Sequence, residues 1–137
     1  MRNYRGKRID NEEWVFGDSI TGLEGNPEKI GTYDHQTIRI EVDIIPETVG
    51  RFTGLLDKNR KEIYEDDNLR IKSEDYGYDY TATVEWNEKG KCLTLDLPPD
   101  HEYDVTAIGW AVEWINNEHG EIEIIGSTHD NPELKEG

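Results

Sequence analysis

The apolar residues of this 137-residue chain occur in short runs that alternate with polar residues, and glycine, proline or asparagine separates the runs. Alternation with a period of two places the apolar side chains on one face of a β-strand. Tyr78–Trp86 is the longest such run, and a turn over residues 87–91 connects it to Cys92–Leu97. No stretch shows sustained helical periodicity. The sequence therefore predicts a mainly β protein in which these two strands pair antiparallel.

Shorter runs of the same kind predict further strands along the chain. They are Glu13–Gly17, Gln36–Val42, Thr48–Leu55, Asn68–Lys72 and Glu121–Gly126. If the alternation holds in the second of them, Ile38, Ile40 and Val42 lie on its buried face. A polar turn over residues 57–62 predicts a hairpin in which Asn59 adopts left-handed backbone geometry.

The remaining segments carry other signals. Residues 1–13 are polar and broken by glycine, which predicts an irregular N-terminal arm, and the glycines and proline of residues 22–31 predict a loop. Val105–Trp114 fits either a buried strand or a short helix. Residues 127–137 are expected to form a tail in which Leu134 docks on the body of the protein.

The length of the chain suits one domain with a modest hydrophobic core. Apolar residues make up 34% of the sequence, below the roughly 45–50% of an average domain, but they cluster in the strand-like runs. We expect a single domain over residues 1–137, built as a compact antiparallel sheet or a small barrel with at most one short helix.

The charge of the chain is strongly acidic. Thirty-one Asp and Glu residues against fifteen Lys and Arg residues give a formal net charge of -16. Such a charge repels polyanions, so we expect no direct binding of nucleic acid. Residues 1–13 are rich in basic side chains whereas residues 99–137 are strongly acidic, an asymmetry compatible with head-to-tail self-association or with nothing more than a solvated surface.

Cysteine content and hydropathy indicate the cellular compartment of the protein. Cys92 is the one cysteine, so no intramolecular disulfide can form, and we expect it to be a buried, structural thiol. The first twenty residues contain no apolar signal segment, and no run reaches the roughly 18 apolar residues needed to cross a bilayer. We expect a cytoplasmic protein without a membrane partner.

Motifs for catalysis, cofactors or metals are missing from the sequence. The four histidines, His35, His101, His119 and His129, never form a close pair of metal-ligand spacing. Gly50–Gly54 lacks the lysine of a phosphate-binding loop. We therefore predict no catalytic residue, no metal and no cofactor. If the chain is an enzyme, we expect the site to be assembled from distant residues, with His101, Asp104 and His129 as candidates.

Three tryptophans have two interpretations. Trp86, Trp110 and Trp114 can fill the core of a chain that is poor in Leu and Val, which is the reading we favour. They can also form a binding surface, because tryptophan is enriched at interface hot spots.

Residues 47–65 read ETVGRFTGLLDKNRKEIYE. This segment resembles the central signature of the YopX-like family of phage and prophage proteins, T-V-G-Q-F/Y-T-G-L followed by D-K-N-G-K-x-I-Y-E-G-D. The two ends of the chain also resemble that family, through Tyr4–Arg8 with Trp14–Gly17 and through Glu123–Gly126 followed by Asn131–Leu134. The residues that carry the signature are Thr48, Val49, Gly50, Phe52, Thr53, Gly54, Asp57, Asn59, Ile63, Tyr64, Glu65 and Asp67.

The chain departs from the family pattern at two positions. Arg60 and Asp66 stand where the family has turn glycines. Arg60 fits if the turn is wider than two residues, and Asp tolerates the left-handed region better than most residues. Gly50 and Gly54 of the signature predict a bulge or a close backbone approach.

The resemblance implies a phage or prophage origin, a mainly β fold and self-association, but no established activity. An I-Y-E-G-D step also occurs where a strand enters a small SH3-like barrel, and this analogy suggests an SH3-like element. We interpret the signature as structural, because its glycines suit hairpin and bulge geometry better than catalysis. Our leading hypothesis is a non-enzymatic accessory protein of the host cytoplasm that forms a homo-oligomer or binds a host or phage protein. The alternatives are an acidic mimic of DNA that occupies a nucleic-acid-binding protein, and an enzyme with an unrecognised site.

Overall fold

The chain divides into two compact units. A computed structural model describes residues 3–23, 26–34, 37–96, 105–117 and 119–130. The first unit is Met1–Phe52 and the second is Thr53–Gly137. The expectation of a single domain stays a prediction.

Unit 1 is built from antiparallel strands. They are β1 (Tyr4–Lys7), β2 (Trp14–Gly17), β3 (Ser19–Leu23), β4 (Asn26–Asp34), β5 (Ile38–Asp43) and the first residues of β6 (Gly50–Leu56), with a 3-10 turn at Pro46–Thr48. β1 pairs with β2 and with the start of β6. β3, β4 and β5 form a three-stranded meander with β4 in the centre.

The predicted irregular arm is wrong, because residues 4–7 form β1. Arg5 is only 7% exposed, and its guanidinium lies 4.1 Å from the centre of the Trp14 ring. Gly6 lies against Ile44, since a Cβ there would come within 3.3 Å of that side chain. A charged side chain can thus be buried in a strand when it stacks on an aromatic ring of the neighbouring strand.

The predicted loop over residues 22–31 is also wrong, because most of it belongs to the β3–β4 hairpin. Pro27 pairs with Gly22 at the start of β4, where the ladder is irregular and a missing amide is tolerated. Gly31 lies in the middle of the strand, and a Cβ there would come within 2.5 Å of both Ser19 Oγ and Arg39 Nη2. The glycine therefore serves close packing rather than a turn.

Unit 2 contains the larger sheet. After β6 come β7 (Glu62–Tyr64), β8 (Asp67–Ser73), β9 (Tyr78–Asn87), β10 (Cys92–Asp96), β11 (Val105–Ala107), α1 (Ile108–Asn117) and β12 (Glu121–Ser127). Five of these strands pair antiparallel in the order β11-β10-β9-β8-β12. The core contains Ile63, Leu69, Ile71, Ala82, Val84, Leu95, Ile108, Ile115 and Ile122.

The mainly β prediction is confirmed. β9 and β10 pair antiparallel as predicted, with Leu93 opposite Trp86. The sheets are open, so the sheet rather than the barrel is observed. Val105–Trp114 contains both predicted structures, a short strand followed by the start of the helix. The predicted tail, including Leu134, lies largely outside the described residues.

None of the helical segments in the part of the chain that the structure describes has the length and apolar character needed to cross a bilayer.

Candidate functional site

An apolar row runs along β5 of unit 1. Ile38, Ile40 and Val42 share one face of the strand, and Ile44 continues the row, because alternate residues point the same way. The exposed fraction falls along it, from 64% at Ile38 and 36% at Ile40 to 1% at Ile44. The row therefore begins in the core of unit 1 and emerges at the surface, which shows that the predicted burial of Ile38 and Ile40 is wrong.

The register with β4 explains the gradient of exposure. Ile30, which is fully buried, lies opposite Val42. Thr32 lies opposite Ile40, and Asp34 lies opposite Ile38. Polar neighbours at the exposed end provide no apolar cover. Alternation in a sequence indicates that the two faces of a strand differ in polarity. It does not indicate whether another layer of the protein covers the apolar face.

The opposite face of β5 is held by an arginine network. Arg39 Nη1 donates to Asp18 Oδ1 at 2.7 Å and Nη2 donates to Ser19 Oγ at 2.6 Å. The hydrogen bond from Arg39 keeps the pKa of the Asp18 carboxyl below its ordinary value. The guanidinium also lies 5.4 Å from the ring centre of Tyr33, which is 52% exposed. The Arg39 side chain thus contacts Ser19 of β3 and Tyr33 of β4 as well as Asp18, and these contacts fix its position.

β5 is an edge strand of its sheet, and a groove lies beside it. Within the described residues, no strand pairs along Ile38–Val42 on the side away from β4. Farther along, the Ile9 amide donates to the Asp43 carbonyl at 3.2 Å. Residues 8–10 and 40–43 line a groove of about 360 Å³. Ile9 is itself 60% exposed, so apolar surface and an open strand edge occur together here.

The three tryptophans proposed as a binding surface lie in unit 2. Trp86 on β9 is half-buried, and its Nε1 donates to Glu88 Oε1 at 3.0 Å. Trp110 and Trp114 lie on α1, but their side chains are outside the described residues. A recognition role for the three stays a prediction.

Two threonines of the signature form hydrogen bonds to backbone groups through their hydroxyl groups. Thr48 Oγ1 donates to the Ile45 carbonyl at 2.6 Å and accepts from the Lys7 amide at 2.8 Å. Thr53 Oγ1 donates to the Ile63 carbonyl at 2.8 Å. These hydroxyl groups connect neighbouring segments within their own units.

Asp57 organises the β6–β7 turn. Its Oδ1 accepts from the amides of Asn59 at 2.8 Å and Lys61 at 2.9 Å, and its Oδ2 accepts from the Ile124 amide at 3.1 Å. Burial by itself would raise the pKa of this carboxyl, but the three backbone donors outweigh that effect, so the pKa lies below its ordinary value. Asp57 thus connects the turn to β12.

A second buried carboxylate closes the β7–β8 turn. Asp67 Oδ2 accepts from the Tyr64 amide at 2.8 Å, and both residues are 1% exposed. The other signature residues lie along the same backbone: Val49 follows the 3-10 turn, Gly50, Phe52 and Gly54 lie in β6, Asn59 lies in the β6–β7 turn, Ile63 lies in β7, and Glu65 lies in the β7–β8 turn.

The two departures from the family pattern both have left-handed backbone. Arg60 has φ 66° and Asp66 has φ 72°. The prediction that Asn59 takes this geometry is wrong, since the left-handed residue is the next one along. Gly54 has φ 84° with nothing near its missing Cβ, so it serves backbone geometry rather than a close approach.

Of the candidates for catalysis, His129 is the one that lies within the described residues. His129 Nε2 lies 3.0 Å from Asp66 Oδ2, while His101 and Asp104 are outside the described residues. The described part of the chain contains no group of three His, Cys, Asp or Glu residues that could hold a metal. Cys92 is half-buried rather than buried. The enzyme and DNA-mimic alternatives stay predictions.

Comparison with known proteins gives one family. The sequence model described as "YopX protein" matches residues 3–136. The crystal structure of protein yopX from Bacillus subtilis is similar, with 25% sequence identity, a TM-score of 0.59, and 96% of each chain covered. No curated protein matches the chain.

Proposed function

Because this chain belongs to the YopX protein family, we propose that it is a phage or prophage accessory protein that acts in the host cytoplasm by binding proteins, including further copies of itself. The observation that carries this proposal is the apolar row of Ile38 and Ile40 on an open sheet edge. Proteins normally cover or charge such edges, because exposed strand backbone recruits another strand. An edge strand that keeps two exposed isoleucines is suited to strand addition.

The surroundings of the polar signature support a binding role over a catalytic one. Thr48, Thr53, Asp57 and Asp67 all direct their side-chain oxygens to backbone groups. Side chains engaged in this way hold turns and strands in place. In this proposal the signature holds the local backbone within each unit, and the open edge of β5 supplies the contact surface.

Purification during phage growth tests the proposal. The tagged chain is recovered from host cells at moderate salt, and the proteins that elute with it are identified by mass spectrometry and tested for stoichiometry. We expect a stoichiometric partner, or further copies of the chain, and we expect Ile38→Asp to reduce that recovery. Ile125→Asp is a matched control, since Ile125 is 37% exposed on β12 of unit 2.

A chain that recovers no protein and remains monomeric at all concentrations contradicts the proposal. Recovery of a nucleic-acid-binding enzyme whose binding falls steeply with salt would instead favour the DNA mimic.

Single replacements at Trp110 and Trp114 test the second candidate surface. If these tryptophans contact a partner, Trp110→Ala and Trp114→Ala lose partner binding while the far-ultraviolet circular dichroism spectrum is retained. Unfolding of both variants would show that the residues belong to the core.

A further inference from the structure

We propose that β5 pairs antiparallel with β5 of a second copy about a two-fold axis at Ile40, so that two three-stranded meanders join into one sheet. The inference rests on the proposed function, because it specifies the surface and the partner of self-assembly. It is carried by the open edge of Ile38–Val42, by the length of that edge and by its charge pattern.

The backbone of β5 offers hydrogen-bonding groups on its open side. The Ile44 amide donates to the Glu28 carbonyl on β4 at 3.1 Å. The Asp43 carbonyl points to the opposite side, where it accepts from the Ile9 amide at 3.2 Å. Backbone groups alternate in direction along a strand, so those of Glu41 and Arg39 point to the same side as Asp43. No residue in the described ranges pairs with them as a strand.

The open edge has a definite length. At one end Ile9 occupies the position beside Asp43. At the other end the chain turns, with the Thr37 amide donating to the Asp34 carbonyl at 2.9 Å. The segment between these limits is Ile38–Val42, and its centre is Ile40. A strand that adds here must therefore be short, and a second β5 has the required length.

The sequence of this segment is complementary to itself in one antiparallel register. With Ile40 opposite the partner's Ile40, Ile38 lies opposite the partner's Val42 on the apolar face. On the polar face Arg39 lies opposite the partner's Glu41, and the symmetry repeats this ion pair. Opposite charges facing each other across an antiparallel pair are stabilising, and like charges are destabilising.

Other registers lose this match. A shift by one residue places Ile40 opposite the partner's Glu41, which mixes the apolar and polar faces. Parallel pairing in register places Arg39 beside the partner's Arg39 and Glu41 beside the partner's Glu41. Charge and apolar pattern thus select the antiparallel register centred on Ile40.

The groove beside the edge leaves room for the partner. It is lined by residues 8–10 and 40–43 and has a volume of about 360 Å³. In the proposed register the partner's Ile38 lies opposite Val42, at this groove. The net charge of -16 opposes association of two copies. We therefore expect a dimer that depends on protein concentration and forms more readily when salt screens the long-range repulsion.

A charge-swap experiment tests the pairing. Arg39→Glu gives a chain with two carboxylates on the polar face of the segment, and Glu41→Arg gives a chain with two guanidinium groups. Each variant alone brings like charges together, so we expect the dissociation constant to rise ~100-fold. An equimolar mixture restores both ion pairs and is expected to form a one-to-one heterodimer, measured by sedimentation equilibrium and native mass spectrometry.

Controls separate pairing from folding and from net charge. Arg39 also binds Asp18 and Ser19, so thermal unfolding of Arg39→Glu is measured alongside. Glu41→Pro removes an amide that points away from β4, and an edge strand tolerates proline at such a position. We expect a folded monomer from Glu41→Pro. Lys89→Glu, at an exposed site in the β9–β10 turn, repeats the charge change of Arg39→Glu and should leave the dimer intact.

The outcomes separate this inference from the proposed function. A chain whose oligomer survives Glu41→Pro, or whose charge-swapped variants do not form heterodimers, overturns the β5 pairing. A monomeric chain that still binds a host or phage protein also overturns it while leaving the proposed function in place. A monomeric chain that binds no protein overturns both.

Discussion

At the scale of single residues, unusual backbone conformations occur at turn positions of the family signature. Arg60 and Asp66 both have positive φ, where an L-residue brings Cβ close to its own carbonyl oxygen. The signature pattern that this segment resembles has glycine at both positions, and glycine carries no such penalty. Asp66 also lies 3.0 Å from His129, a contact that glycine would lose. Arg60 is exposed, so it offers the simpler test.

Replacing Arg60 by glycine is expected to stabilise the protein. Arg60→Gly should raise the free energy of unfolding by about 1 kcal/mol, because glycine adopts left-handed backbone without the Cβ conflict. Urea unfolding followed by circular dichroism measures the change. Lys61→Gly is the matched control, since Lys61 is exposed and has no positive φ, and it should destabilise by about 0.5–1 kcal/mol. Destabilisation by Arg60→Gly would contradict the turn geometry.

Asp57 should make stability depend on pH at acidic values. Its folded pKa lies below the ordinary 3.8, so the carboxylate stabilises the fold above that pH, and the stabilisation is lost as pH falls through the folded pKa. Asp57→Asn is expected to cost about 2 kcal/mol at neutral pH. The difference from the wild-type chain should shrink below about pH 4. Unfolding curves between neutral and acidic pH measure this, with the exposed Glu74→Gln as control.

At the scale of strands and helices, two glycines of unit 1 let neighbouring strands approach closely. A Cβ at Gly17, the last residue of β2, would overlap the carbonyl oxygen of Gly31 in β4. The Asp18 amide donates to that same carbonyl at 3.0 Å. The contact between β2 and β4 therefore depends on the absence of a side chain, and no flexible side chain can move to make space.

Gly17→Ala is expected to destabilise unit 1 by at least about 2 kcal/mol, because the new methyl group forces the two strands apart. Gly109→Ala in α1 is the control, since nothing lies within 4 Å of its missing Cβ. There we expect stabilisation by about 0.5–1 kcal/mol, because alanine loses less backbone entropy than glycine in a helix. Thermal unfolding of both variants measures the contrast. Equal effects at the two sites would show that the close approach is unimportant.

At the scale of the whole molecule, net charge and local ion pairs oppose each other. Arg70 Nη2 lies 2.7 Å from Asp79, and Lys58 lies 3.4 Å from Glu121 and 3.6 Å from Glu123. Exposed pairs of this kind contribute little to stability, because water and salt screen them. A net charge of -16 remains, and its repulsion opposes the compact state.

Sodium chloride is therefore expected to raise the melting temperature at neutral pH. Screening weakens the repulsion among all the excess carboxylates, and this gain should exceed the small loss from exposed ion pairs. Differential scanning calorimetry over increasing salt measures the change. A potassium chloride series separates screening from specific ion binding, and a melting temperature that falls with salt would show that the local pairs dominate.

The sequence alone determined the strand-rich class, the β9–β10 pairing and the β6–β7 hairpin. These features depend on side-chain alternation and on turn residues close together along the chain, so local chemistry suffices to specify them. The resemblance of residues 47–65 likewise identified the family. The turn residues do not specify which position has left-handed backbone, because several polar residues can close the same turn, and in the structure it is Arg60 and not Asn59.

Only the tertiary structure decided which strand faces are covered. Arg5 is buried because Trp14 stacks on it from the neighbouring strand, whereas Ile38 and Ile40 are exposed because their neighbours on β4 are polar and β5 forms an edge. Burial depends on residues that the fold brings together from distant positions in the sequence. The periodicity within one segment contains no information about those residues. For the same physical reason, the open edge of β5 is a feature of the tertiary structure and not of the sequence of β5.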